Sequence, residues 1–220
     1  MQQTTIYFLS SDKDKGFSNF LNTAIQSLFD ELFLYIDKNK DRGVLGYANE
    51  QTLASLFVNG VIRRDDKEKP TITSVQEYSI TPGNDSSKLR PDIFIRHNKT
   101  AIWIECKYDR NNPKYNKDTH FKVEGWLLWD QQSIRSQVEN YYTIEGPLAN
   151  KSYKTHYVAS MAFKLINADM AMHLQECEKM RIEIKNAERL CYYAVEFLKD
   201  DKGNYTNEGL EVYGTFEKKK

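Results

Sequence analysis

Between Thr71 and Lys107 the apolar residues change their spacing, and this change restricts the possible folds more than any other feature of the chain. Upstream, apolar positions recur every three or four residues. Here they alternate, in the runs TITSVQEYSI, DIFIRH and AIWIECKY, which are separated by TPGNDSSK and HNKT. Period-two alternation with turn-forming residues between the runs predicts three antiparallel strands in a meander. On the upstream side, Ile25, Leu28, Phe29, Leu32, Phe33 and Ile36 mark an amphipathic helix over about 17–38. Leu53, Ala54, Phe57 and Val58 mark a second helix over about 46–61. Further on, a helix is expected over about 123–144, then a strand in SYKTHYVASMAFKL, a helix over about 169–185, and strands in LCYYAVEFL and LEVYGTF. The expected class is α/β, with a central mixed sheet containing the three-stranded meander and flanked by helices. A chain of 220 residues that is 40% hydrophobic holds one substantial core, so a single domain over 1–220 is expected.

Lys plus Arg and Asp plus Glu each number 31, so no global field of one sign draws the molecule to nucleic acid or to a membrane. Binding of that kind requires a local patch. The three cysteines, Cys106, Cys177 and Cys191, form no CxxC pair and fit neither a disulfide framework nor a zinc site. A reducing, cytoplasmic setting is expected. Nothing in the chain reaches the ~20 apolar residues of a membrane span, and the first residues do not read as a signal peptide.

Alternation puts Trp103, Glu105 and Lys107 on one face of the third strand and Ile102, Ile104 and Cys106 on the other. Asp92, Phe94 and Arg96 share a face of the preceding strand, and a turn near His97 to Thr100 brings Asp92 close to Glu105. Two carboxylates side by side repel unless a cation or a shared proton offsets their charge. Hard oxygen donors at a sheet end suit Mg2+ or Mn2+. A bound divalent ion there would activate water, with Lys107 aligning that water or neutralising charge in the transition state. The bland readings are a strand-initiating turn acid at Asp92 and a solvated strand end at Glu105 and Lys107. Acid-x-lysine triplets also occur at Asp65, Glu183, Asp200 and Glu217, but only Glu105 ends an apolar strand at hairpin distance from a Pro-Asp.

Pro91-Asp92 followed by Glu105-x-Lys107 resembles the signature of the PD-(D/E)XK nuclease superfamily, whose fold is restriction-endonuclease-like. The resemblance covers about residues 46–165. It leaves the N-terminal helix and an α/β extension over 168–216 outside the motifs. It implies that Asp92, Glu105 and the backbone carbonyl of Cys106 bind the metal, that Lys107 is catalytic, and that a glutamate on the helix before the sheet completes the site. Glu50, in line with Leu53, Ala54 and Phe57, is the better match for that glutamate; Glu31 lies at the edge of its own stripe. Gln137 and Tyr141, one helical turn apart, resemble the QxxxY motif of one branch of these nucleases.

The loop after Lys107 carries Arg110, Lys114, Lys117 and Lys122 among Tyr108, Tyr115 and Phe121, a modest candidate contact for nucleic acid. His97, His120, His156 and His173 have no metal-ligand spacing and are expected in turns or at the surface. Trp126, Trp129, Tyr142 and the aromatics of YYAVEF are expected in the core. Without GxSxG, GxGxxG or GxxxxGK[ST], no nucleotide cofactor is expected. The sequence thus points to a metal-dependent deoxyribonuclease, acting alone, as a homodimer or with a partner protein. The alternatives are a non-catalytic nucleic-acid-binding or assembly module on the same fold, and a structural or protein-binding domain with solvated strand ends.

Overall fold

The computed structural model describes residues 7–10, 15–39, 49–63, 72–76, 92–97, 99–109, 155–175, 177–178, 190–200 and 202–219. Seven strands form one sheet: β1 (Tyr7–Ser10), β2 (Ile72–Gln76), β3 (Ile93–His97), β4 (Thr100–Asp109), β5 (Thr155–Asn167), β6 (Leu190–Lys199) and β7 (Tyr205–Lys219). Their spatial order is β1-β6-β7-β5-β4-β3-β2. All neighbours are antiparallel except β4 and β5, which run parallel. The expected meander is present as β2, β3 and β4. Residues 190–219 also belong to the sheet, because β7 lies between β5 and β6. The chain is therefore α/β with a mixed sheet, and among the described residues no helix is long and apolar enough to cross a membrane.

Helices α1 (Lys15–Asn39) and α2 (Glu50–Arg63) lie on one sheet face. Their apolar stripes, with Leu21, Leu28 and Phe29 from α1 and Leu53 and Phe57 from α2, pack against Ile93, Ile95, Ile102, Ile104, Cys106 and Met161. α2 starts at Glu50 rather than near Gly46, and Asn49 explains why. The Asn49 Oδ1 atom accepts from Thr52 N–H at 2.8 Å, a side-chain N-cap that fixes the first turn. The two helices touch at Ser27 and Gly60, where a β-carbon on Gly60 would lie 2.5 Å from that of Ser27. A mid-helix glycine costs about 1 kcal/mol in propensity relative to alanine, and here it permits the close approach. The buried Ser27 hydroxyl donates to Thr23 O at 2.8 Å, so this contact leaves it satisfied.

The opposite sheet face is also buried. Phe94 and Trp103 face each other across β3 and β4 with ring centroids 4.4 Å apart. Trp103 Nε1 donates to His156 Nδ1 at 3.4 Å, which fixes His156 with Nδ1 unprotonated. Burial lowers the pKa of that imidazole and is consistent with its neutral form. Tyr193, Val195, Phe197 and Tyr213 continue this layer over β6 and β7. The aromatics expected in the core at Tyr192, Tyr193 and Phe197 are there. Trp126, Trp129, Tyr142 and the helix expected over 123–144 lie outside the described residues.

Candidate active site

Asp92 and Glu105 both lie at the open end of the β3–β4 hairpin. The ladder closes with Ile93 opposite Ile104, so Asp92 precedes and Glu105 follows its last pair. β4 continues to Asp109 after β3 has ended, so its N–H groups on that side need other acceptors. Two carboxylates provide them. Cys106 N–H donates to Asp92 Oδ2 at 2.6 Å, and Tyr108 N–H donates to Glu50 Oε2 at 3.0 Å. The N–H and C=O of one strand residue point to the same edge. The Cys106 carbonyl therefore faces the edge occupied by Asp92 and Glu50.

Glu105 is half-buried, with its Oε2 atom screened from solvent. Its neighbour on the parallel strand is Ser160, whose hydroxyl pairs with that of Thr215 at 3.1 Å. Lys107 holds its register position opposite Ala162; its side chain lies outside the described residues. So do Arg110, Lys114, Lys117, Lys122, His120, Gln137 and Tyr141. Glu31, the other glutamate considered for the site, forms an ion pair with Arg63 at 2.6 Å between the two helices.

Among the described residues no group of three or more His, Cys, Asp and Glu side chains is gathered as a metal site. The donors present are nonetheless of one kind. Asp92 and Glu105 flank the last ladder pair, Ile93 and Ile104, and the Cys106 carbonyl lies on the same edge as Asp92, an all-oxygen set whose chemistry fits Mg2+ or Mn2+. Glu50 reaches that edge two residues further on, at Tyr108.

A second polar constellation escaped sequence reasoning. Glu211 of β7 is 0% exposed, and its Oε1 atom accepts from the Tyr193 hydroxyl and lies 2.8 Å from His173 Nε2. Cys177 Sγ lies 3.4 Å from the same Tyr193 hydroxyl, and Lys164 Nζ lies 3.9 Å from Glu211 Oε2. Burial pulls the His173 pKa down, but hydrogen bonds to Cys177 and Glu211 and the Glu211 charge outweigh it and raise it to about 9. Burial, reinforced by the Glu211 charge, pushes the Tyr193 phenol well above its ordinary value. His156 and His173 thus correct the expectation of surface histidines: both are buried because each has a specific polar partner. His97 does end a strand at the turn, half-buried and stacked on Phe20. The available signal was the i, i+4 spacing of His173 and Cys177, which puts both on one helix face.

Comparisons of the chain with protein-family models, with curated proteins and with solved structures each found no match.

Proposed function

We propose that this chain is a metal-dependent nuclease that hydrolyses DNA phosphodiester bonds on a restriction-endonuclease-like fold. The observation that supports this reading is the bond from Cys106 N–H to Asp92 Oδ2 at the sheet end, where Asp92 and Glu105 flank the last ladder pair, Ile93 and Ile104. Asp92, Glu105 and the Cys106 carbonyl would hold the divalent ion, and Glu50 would support them through Tyr108. An ion bound there would lower the pKa of a water molecule and offset charge on a phosphoryl oxygen. Lys107 orients the attacking water and neutralises charge developing on the phosphate. A hairpin that holds both carboxylates at one sheet end would supply the positioning such chemistry needs.

Purified protein with Mg2+ or Mn2+ is expected to cut DNA. Asp92→Ala and Lys107→Ala should abolish cutting while the far-ultraviolet circular dichroism is unchanged. Undiminished cleavage by both variants would sink this mechanism. A second reading, a non-catalytic nucleic-acid-binding or assembly module, draws support from the same bonds: Asp92 and Glu50 already serve as acceptors for backbone N–H groups. It predicts DNA binding without cleavage and no heat of Mg2+ or Mn2+ binding in calorimetry.

A further inference from the structure

We propose that Lys164 is a phosphate-binding cation of the candidate active site and that the buried Glu211 carboxylate is its positioning residue; this rests on the nuclease reading. β4 and β5 are parallel, so their carboxyl ends lie at the same end of the sheet. Ligands of open α/β sheets bind outside the carboxyl ends of strands. Ser160 is the β5 neighbour of Glu105, Ala162 is that of Lys107, and Lys164 is the next residue on the same face. Lys164 therefore stands on the strand beside the candidate site, one same-face step beyond the neighbour of Lys107.

Glu211 has two unlike sides. Its Oε1 atom is occupied by Tyr193 and His173 in the interior, whereas Oε2 is directed toward Lys164. A carboxylate buried this completely is costly unless paired, and the His173 imidazolium already supplies one counter-charge. Lys164 is the second cation. At 3.9 Å the ammonium is attracted without closing a hydrogen bond, and its side chain is 17% exposed. Because His173 already lies beside Glu211, the outer cation Lys164 can take a further anionic partner, and a DNA phosphate at this sheet end has the matching charge. The competing role is purely internal, in which Lys164 serves only to neutralise Glu211.

The discriminating measurement is binding of a fluorescent DNA duplex across a range of salt concentrations, without divalent metal, together with cleavage in Mg2+. Lys164→Met is expected to reduce the slope of log affinity against log salt by about 0.9, the value for one phosphate, and to weaken binding about eightfold at 0.1 M salt. Cleavage should show a raised KM with kcat little changed. Lys164→Arg should restore the slope. Glu211→Gln keeps the cation but loosens it, so the slope should stay while affinity falls. If Lys164→Met fails to fold, Lys164→Gln gives the same comparison with a polar group facing Glu211. Wild-type cleavage with an unchanged slope in the Lys164 variant overturns this inference alone, whatever happens to stability. Wild-type protein that neither binds nor cuts DNA overturns the nuclease reading and this inference with it.

Discussion

The backbone N–H of Tyr108 donates to Glu50 Oε2 at 3.0 Å, tying the first residue of α2 to the far end of β4. This bond joins elements that are 58 residues apart in the chain. Glu50 also places a negative charge at a helix N-terminus, where the helix dipole favours it. Glu50→Ala removes both effects and leaves the Tyr108 N–H without this acceptor. A loss of about 1–2 kcal/mol is expected, read as a lower urea midpoint at unchanged m-value. Glu50→Gln keeps an acceptor oxygen and should recover most of that stability. If Glu50 also supports the metal, Glu50→Gln should nevertheless require more Mg2+ for half-maximal cleavage.

The contact between Ser27 and Gly60 makes a second expectation. Gly60→Ala would improve helix propensity on its own, by about 1 kcal/mol. The added β-carbon, however, would meet the Ser27 backbone carbonyl carbon at 2.8 Å as well as its side chain, and backbone cannot swing aside. Forcing the helices apart should outweigh the gain and give a net loss of about 1–3 kcal/mol. A rise in melting temperature for Gly60→Ala would show that α1 and α2 are not held this closely.

Tyr193 links the buried cluster on the second sheet face, since its hydroxyl meets Glu211, His173 and Cys177. Tyr193→Phe preserves the ring packing and deletes only that hydroxyl. Because a buried carboxylate then loses a donor, a cost of about 1–3 kcal/mol is expected, visible in urea denaturation. Glu211→Gln made in the Tyr193→Phe background should cost less than it does alone, since the two groups act on each other.

How far these features were readable from residues depends on the range over which they are encoded. The short HNKT turn and period-two alternation fix the β3–β4 register locally, which is why the pairing of β3 with β4 up to Ile93 and Ile104 was legible. Glu50 was legible as a position on a helix face. Its bond to Tyr108 was not, because that depends on where β3 stops pairing with β4. The placement of β7 between β5 and β6 is a tertiary choice that local periodicity does not specify. Glu211 was missed for a related reason. In LEVYGTF it alternates with Leu210 and Val212 and so reads as a solvent-facing position, whereas this strand is buried on both faces. The burial of His173 likewise follows from the partner that β7 brings to it.

Above neutral pH two buried groups, Glu196 and His173, make stability fall as pH rises, and their signs agree. Burial raises the Glu196 carboxyl from its ordinary value of 4.5 to about 8, with Lys199 opposing and Asp30 adding to the shift. Neither of its carboxylate oxygens has a hydrogen-bond partner among the described residues. Folded protein therefore holds this proton between about pH 4.5 and 8 while unfolded chain releases it, so stability falls as pH rises through that window. His173 is raised from 6.5 to about 9, so its contribution is complete below pH 6.5 and is lost as pH rises through 9. Both groups predict a urea midpoint that declines from about pH 7 to pH 9, above the range in which the buried neutral His156 acts with the opposite sign. Glu196→Gln should flatten the lower part of that decline and make the variant more stable than wild type at pH 9. His173→Gln should flatten the upper part while lowering stability at pH 6, where the imidazolium has its full effect on Glu211. A midpoint that rises from about pH 7 to pH 9 in the wild-type protein would contradict the buried, proton-holding state of both residues.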